Sequence, residues 1–498
     1  MPRKLPTELP ETFVSTSKTA SLVSKAVRAS KLRKLASRLY TRDLESSPDA
    51  IVRRNLWQIV AGYFPDAIIS DRTALEGAPS KDGSVFLISQ KGQSDVSLPG
   101  HTLRPRRGAP AQPSDLPFMG VLRLASPARA LLENFASSRS RHAVARTLSK
   151  VELEQHLDKL LRQSGEDELN RLRDKARRLA PALSREKEFA ELNRMIGALL
   201  NTQADNLRTP AARARRRGLP FDPARAELFE ALRTELHRTP PQTRLAAPAD
   251  GTTLPFFEAY FSNFIEGTEF AVEEAAAIVF ENRIPNARPQ DAHDILGTYR
   301  IVADDAEMVR TPDTFPEFER LLKRRHVAIM DARPDKGPGH YKSAANRAGG
   351  TMFVAPELVR GTLDQGFRVY RSLATPFQRA VFMMFLVAEV HPFADGNGRV
   401  ARIMMNAELV AAREQRIVIP TIYRGNYLTA LKAASNRTST EPIIRMLDFA
   451  QRFSLSVDWT GFAEAEADLR TAFAFMDSND ADERGIRLRL PDPARGKA

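Results

Sequence analysis

The sequence predicts a mainly α-helical protein preceded by a small α/β region and a helical connector. Three observations carry that expectation. Apolar residues recur at helical spacing in the run from Arg399 to Arg413 and again from Val151 to Leu161. Strand-like runs such as Val85-Phe-Leu-Ile-Ser89 concentrate in the first 135 residues. The longest purely apolar stretch, Ala380 to Ala388, has the length of a buried helix and falls well short of a bilayer span of ~20 residues.

Length and composition narrow the setting. A chain of 498 residues allows two to four domains and an ample core. Cysteine is absent, which excludes disulfides and thiolate metal sites. The basic start has no apolar signal core, so a cytoplasmic protein without a membrane partner is expected. The net charge of +13 is uneven, with +15 on residues 1–250 and −2 on residues 251–498. That asymmetry points to a polyanionic partner for the N-terminal half.

In chain order, Thr16 to Ser30 reads as a helix, and Lys31 to Thr41 as a following turn and strand. Residues 16–40 carry Lys18, Lys25, Arg28, Lys31, Arg33, Lys34 and Arg38 with no acid. A basic helix followed by a short basic wing fits a winged helix reading duplex DNA, with ordinary solvated lysines as the competing account. Residues 1–135 read as this small α/β region, including a Pro/Arg-rich stretch at 100–113. Residues 136–205 read as a helical connector with dense mixed charge. Residues 206–255, with Arg-rich Ala211 to Arg217 and repeated prolines, read as a boundary containing a linker. A mostly helical core over 256–455 and a helix with a polar tail over 456–498 complete the chain.

The chemistry concentrates in His391-Pro392-Phe393-Ala394-Asp395-Gly396-Asn397-Gly398-Arg399-Val400-Ala401-Arg402. Gly396 and Gly398 flank Asn397, and glycine lets successive backbone N–H groups turn inward as an anion cradle. The helix that follows adds its unpaired N–H groups and dipole, which favour phosphate. Arg399 and Arg402, three apart, share one helix face and are expected to reach the same polyphosphate tail. Asp395 is a hard oxygen ligand suited to Mg²⁺, and His391 titrates in the range of a general base. Each residue alone has an ordinary structural reading; together they describe a nucleotide site.

This string resembles the signature of the Fic family, His-Pro-Phe-x-[Asp/Glu]-Gly-Asn-Gly-Arg-x-x-Arg, at every fixed position. The resemblance implies a helical Fic domain over 256–455 that transfers AMP from ATP to a Ser, Thr or Tyr hydroxyl of a target protein, releasing pyrophosphate. It implies His391 as base and Asp395 on Mg²⁺. It also implies Gly396, Asn397 and Gly398 around the phosphates, with Arg399 and Arg402 toward their β and γ end.

Three further segments fit the same family. Ser262-Asn-Phe-Ile-Glu266-Gly267 resembles its inhibitory motif, [Ser/Thr]-x-x-x-Glu-[Gly/Asn], although Ser and Glu four apart before a Gly is also an ordinary helix end. The resemblance implies that Glu266 pairs with Arg402 and blocks productive γ-phosphate placement, making the chain a self-inhibited, class II member. Gly339 to Pro356 resembles the family's β-hairpin flap, with Ala348, Gly349, Gly350 and Thr351 lining the nucleotide and the strand holding the target by pairing. Tyr423 to Asn436 resembles the segment that closes over the purine, with Tyr427 and Asn436 as its residues; a core tyrosine is the competing account.

The N-terminal stretch is similar to the winged helix of AbiEi-type antitoxins, through Ile51 to Val60, Pro65 to Leu75 and Leu122 to Glu133, although few residues precede the basic helix. Two function classes follow. One is a self-inhibited protein adenylyltransferase. The other is a DNA-binding regulator of the toxin–antitoxin type whose Fic domain senses nucleotide. Within the family, removal of AMP or transfer of another nucleotide stays open, with Glu266 positioning water. Relief of inhibition through self-association makes a homo-oligomer a further expectation.

Overall fold

The computed structural model describes residues 10–90, 94–138, 143–203, 206–238, 243–247, 249 and 251–491, so the end of the expected polar tail lies outside the described residues. The chain divides into two compact units, one ending at Arg216 and one beginning at Arg217.

The N-terminal unit opens with strand Thr12–Val14, helix Ala20–Arg28 and the hairpin Arg33–Ala36/Leu39–Thr41, which form a three-stranded antiparallel sheet with the last strand central. Two expectations are corrected here. The helix begins at Ala20 rather than Thr16, because Thr16 and Thr19 bond each other in a turn that precedes it. The segment after it is a two-stranded hairpin rather than one strand, since Arg38 takes φ 63° and reverses the chain. Lys18, Lys25, Arg28, Lys31 and Lys34 are exposed. Arg33 instead donates to the Ser46 carbonyl, and Arg38 donates to the Ser15 carbonyl. Among the described residues one helix, Ala20–Arg28, separates the first strand from the hairpin.

A mixed six-stranded sheet follows, with Ser84–Ile88 between His101–Arg106 and Ile68–Ile69. Ser84–Ile88 is buried along its whole length, which explains its unbroken apolar run. The stretch expected as a helical connector holds helices Lys150–Leu183 and Glu186–Leu199. Their leucines form a core of their own with Leu131, Leu132 and Phe135 from helix Pro127–Phe135, so they are more than solvated spacers.

The division at Arg216/Arg217 falls within the expected boundary over 206–255, but in the C-terminal unit the linker expected there is largely corrected. It contains helix Pro223–Arg238, whose Leu228, Phe229, Leu232 and Leu236 enter the main core. Pro223 is the first helical residue, where its missing N–H has no intrahelical partner to lose; the proline read as a breaker is a helix start. The segment after 456 has helices Phe462–Thr471 and Ser478–Glu483, anchored by the buried Trp459.

The centre of this unit is helix Pro376–Val390. Thr375 caps it, accepting from Gln378 N while the Gln378 side chain accepts from Thr375 N, and the helix is buried almost throughout. Phe382 and Phe385 meet Phe229 edge-on. Against it packs helix Asn397–Ala411, as the Arg399–Arg413 periodicity predicts. Helices Thr253–Ile265, Pro289–Val302 and Phe315–Met330 cover the second helix, and Arg424–Arg437 borders a cavity together with His391 and Gly398. The expected flap is present as the hairpin Arg347–Ala348/Thr351–Met352, with Gly349 at φ 56° in its turn.

Candidate active site

Helix Pro376–Val390 ends at His391, which adopts φ 52° and ψ 60°, a left-handed conformation that a non-glycine residue holds only when its surroundings enforce it. The loop after it is fastened from several sides. Asn397 receives the Phe393 N–H on its Oδ1 at 2.8 Å and donates to the Phe393 carbonyl at 2.9 Å. Phe393 is fully buried and stacks on His326, with ring centroids 3.7 Å apart. His326 accepts the Gly339 N–H on Nδ1, which leaves Nε2–H to donate to the Asp395 carbonyl at 3.0 Å. Burial pushes His326 down to about 4, so it is neutral and this tautomer is fixed.

His391 is half-buried and stacks on Phe353 with centroids 3.8 Å apart and rings 4° from parallel. Its Nδ1 donates to the Ala388 carbonyl at 3.3 Å, which leaves Nε2 with its lone pair. Burial above all, with Lys342 adding repulsion, pushes His391 from the usual 6.5 down to about 4. The imidazole is therefore unprotonated at neutral pH and free to accept a proton.

Helix Asn397–Ala411 begins immediately after Gly396, whose φ of 72° and whose closeness to Met330 (2.8 Å from an added Cβ) exclude any side chain. At Gly398 an added Cβ would lie 2.0 Å from Glu266 Oε1. The helix N-terminus expected to cradle phosphate thus has a carboxylate over it. Glu266 follows the last residue of helix Thr253–Ile265, and Gly267 at φ 91° turns the chain away.

Arg402 is buried and donates to Ser262 Oγ at 2.9 Å, the Ser262 carbonyl at 2.8 Å and Glu266 Oε1 at 2.7 Å. Burial works against its charge, but Glu266 more than compensates and raises its pKa. Its Nη1 meets no hydrogen-bond acceptor among the described residues. Arg399 departs from expectation. Although one turn before Arg402, it pairs with Asp294 of helix Pro289–Val302 at 2.8 Å and is buried there, so the two cations do not share a ligand in this state. Asp294 on helix Pro289–Val302 and Glu266 just past the end of helix Thr253–Ile265 hold the two guanidinium groups apart.

Asp395 keeps a side chain that is 43% exposed. One of its oxygens accepts the Gly396 N–H, and the other takes no protein donor among the described residues. Among the described residues no cluster of three or more His, Asp or Glu side chains could hold a metal by itself.

The flap is tied to the same loop. Lys342 N donates to the Pro392 carbonyl at 2.9 Å, its Nζ donates to Asn346 Oδ1 at 2.6 Å, and Asn346 Nδ2 donates to the Phe393 carbonyl at 3.0 Å. Burial lowers Lys342 to about 8. Asn436 donates to Thr351 Oγ1 at 3.1 Å, which joins the purine-side segment to the flap. Tyr427 is buried with its hydroxyl directed at Met384 sulfur, so its ring alone can border a ligand.

A cavity of about 190 Å³ gathers His391, Gly398, Arg402, Glu266, Ala348, Thr351 and Tyr427. Asp395, Gly396, Asn397, Arg399, Gly349, Gly350 and Asn436 are not on its wall, and Gly350 has open space around it. Its other end is apolar, with Phe353, Leu428 and Leu431 beside Glu389. Glu389 is a buried carboxylate whose pKa burial raises; Arg225 pairs with it at 2.5 Å and Ser435 donates to it. His326, Lys342, Asn346, Phe353, Asp294 and Glu389 were not anticipated. Lys342, Asn346 and Phe353 fall within the flap stretch already singled out, whereas His326 and Asp294 lie in amphipathic helices with no local signal.

Residues 316–409 match the model of the Fic/DOC family. Two curated relatives are the proteins called Protein adenylyltransferase Fic of Drosophila willistoni, 28% identical over 248 residues, and of Drosophila melanogaster, 25% identical over 249 residues. Each alignment covers 48% of this chain and 49% of the relative, so the chain spans about half the length of the curated relatives it matches. Among solved structures, a Fic domain containing signaling protein from Bacteroides thetaiotaomicron is 20% identical at a TM-score of 0.35, covering 47% of this chain and 94% of that one. The Fic-1 structure from C. elegans is 17% identical at a TM-score of 0.35, covering 61% of this chain and 86% of that one. The chain carries a Fic domain.

Proposed function

We propose that this chain is a protein adenylyltransferase that moves AMP from ATP to a Ser, Thr or Tyr hydroxyl of a target protein, and that Glu266 holds it inactive. The observation that carries the reading is one cavity bordered by a neutral His391, the Gly398 end of a helix N-terminus, and Arg402 bonded to Glu266. The hydroxyl oxygen forms a bond to the α-phosphorus, the bond from that phosphorus to the bridging oxygen breaks, and pyrophosphate leaves. His391 Nε2 takes the hydroxyl proton, while Ala388 fixes the ring by accepting from Nδ1. The Gly398 end of the helix N-terminus and Arg402 Nη1 border the space where charge would develop, so the proposed chemistry rests on positioning and electrostatics. Asp395 fits an Mg²⁺ role because it offers a half-exposed hard oxygen beside the phosphate cradle. Asp395 would hold that ion, which would supply charge neutralisation for the phosphates.

Inhibition follows from occupancy. Glu266 Oε1 lies over Gly398 and takes an Arg402 N–H, the two interactions a terminal phosphate needs. Binding of ATP with its γ-phosphate on Arg402 therefore requires Glu266 to leave. In a test with ATP tagged on its α-phosphate, Glu266→Gly is expected to raise protein labelling at least tenfold, and His391→Ala in that background to abolish it. Equal labelling of wild type and Glu266→Gly rejects inhibition in cis, and labelling that survives His391→Ala rejects its role as base.

A second reading concerns the N-terminal unit alone. Lys18, Lys25, Arg28, Lys31 and Lys34 stand exposed on a helix and hairpin without carboxylate partners among the described residues, which supports binding to duplex DNA through phosphate contacts. Retention of the full chain on DNA should fall steeply with salt and be lost in Lys25→Glu/Arg28→Glu; no retention at low salt rejects the reading.

A further inference from the structure

The N-terminal unit contains a cavity of about 720 Å³ that includes none of the active-site residues. Its size falls within the range of roughly 300–1,000 Å³ that holds small organic ligands. Leu131, Leu160, Leu172 and Leu179 border it, and its area is mostly apolar. The hollow has a structural cause. Helix Lys150–Leu183 is broken at Gly165, which takes φ 78° and ψ 176° and has no neighbour within 4 Å of where a Cβ would be. Leu160 before the break and Leu172 and Leu179 after it therefore border one space instead of running along a single straight face.

The charge at its edge is one-sided. Lys175 and Arg178, one helical turn apart, are exposed lining residues with no carboxylate partner among the described residues. The one acid on the wall, Glu168, is already paired with Arg171 at 2.7 Å. An apolar chamber with two uncommitted cations at its mouth is complementary to an amphiphile that carries a single negative headgroup. A neutral oil would leave the cations unused, and a polyanion would have to place charge among leucines.

We propose that this cavity binds a small aliphatic carboxylate, with its chain among Leu131, Leu160, Leu172 and Leu179 and its headgroup between Lys175 and Arg178. The occupant is a free small molecule rather than a peptide segment of a partner.

Isothermal titration of the full chain with dodecanoate, below its micellar concentration, tests this. Saturable one-to-one binding is expected, with dodecanol binding at least tenfold more weakly. Lys175→Ala/Arg178→Ala, which removes only exposed side chains, should weaken dodecanoate at least tenfold and leave dodecanol unchanged. Ala74→Phe fills the cavity from a half-buried wall and should abolish binding of both; circular dichroism melting checks that it is folded, and Leu160→Trp replaces it if it is not. Absence of saturable dodecanoate binding overturns the site. Undiminished affinity in the double variant, or wild-type affinity in a folded cavity-filling variant, overturns the assignment of headgroup and chamber.

Discussion

A carboxylate and a phosphate are both anions that accept from guanidinium and backbone N–H groups, so under the proposed function Glu266 would compete with a nucleotide for the donors it holds. The contact is tight enough to test by sterics. An added methyl at Gly398 would meet Glu266 Oε1 at 2.0 Å, so Gly398→Ala should lower the melting temperature of the wild type. In the Glu266→Gly background the same substitution should be milder, and the two changes should couple by ~1 kcal/mol in a double-mutant cycle. Additive effects would mean that Glu266 does not rest on Gly398 in solution. Proton affinity gives a second test. Because burial pushes His391 from 6.5 down to about 4 and Glu266 only raises it, the acid limb of the kcat/KM profile of Glu266→Gly should lie well below 6.5; a limb at 6.5 contradicts the buried neutral base. The sign for stability is the same. His391 and His326 both bind protons more weakly folded than unfolded, so their contribution is complete above pH 6.5 and is lost as pH falls toward 4. His326→Gln, which keeps a donor for the Asp395 carbonyl, should make the fall in melting temperature over that window shallower.

At the scale of elements, the site depends on where two helices end and begin. The Thr375 and Gln378 pair fixes the start of helix Pro376–Val390, so Thr375→Ala should destabilise the C-terminal unit by about 1 kcal/mol, seen as a lower denaturant midpoint for that unit. The flap bears on the same loop through Asn346 and Lys342, so Asn346→Ala should reduce labelling in Glu266→Gly while leaving the melting temperature nearly unchanged. These couplings also mark what the sequence could disclose. The signature loop, its helix, the flap turn and the Ser262–Gly267 helix end were legible because each rests on local rules: glycine where φ is positive, helical periodicity, and motif spacing. The divergence of Arg399 from Arg402 was not legible, because it depends on Asp294, a hundred residues distant and carrying no motif. His326 stayed hidden for the same reason. Pro223 misled because proline both breaks helices and starts them, and only the leucines packed behind it decide which.

At the scale of the whole molecule, the chain joins a basic N-terminal unit to a Fic domain, and no helix among the described residues is long and apolar enough to cross a membrane. The charge asymmetry, +15 against −2 for the two halves, was plain in the sequence. The cavity beside the Gly165 break was not, because a hollow depends on how distant walls meet. The central claim is that His391 serves a nucleotidyl-transfer site that Glu266 keeps closed. Intact-protein and peptide mass spectrometry after incubating Glu266→Gly with ATP, Mg²⁺ and cell extract tests it most directly. An adenylyl group is expected on a Ser, Thr or Tyr of this chain or of an extract protein, nearly absent with the wild type and absent with Glu266→Gly/His391→Ala. No adenylyl adduct with Glu266→Gly, or the same adduct in all three, would contradict it.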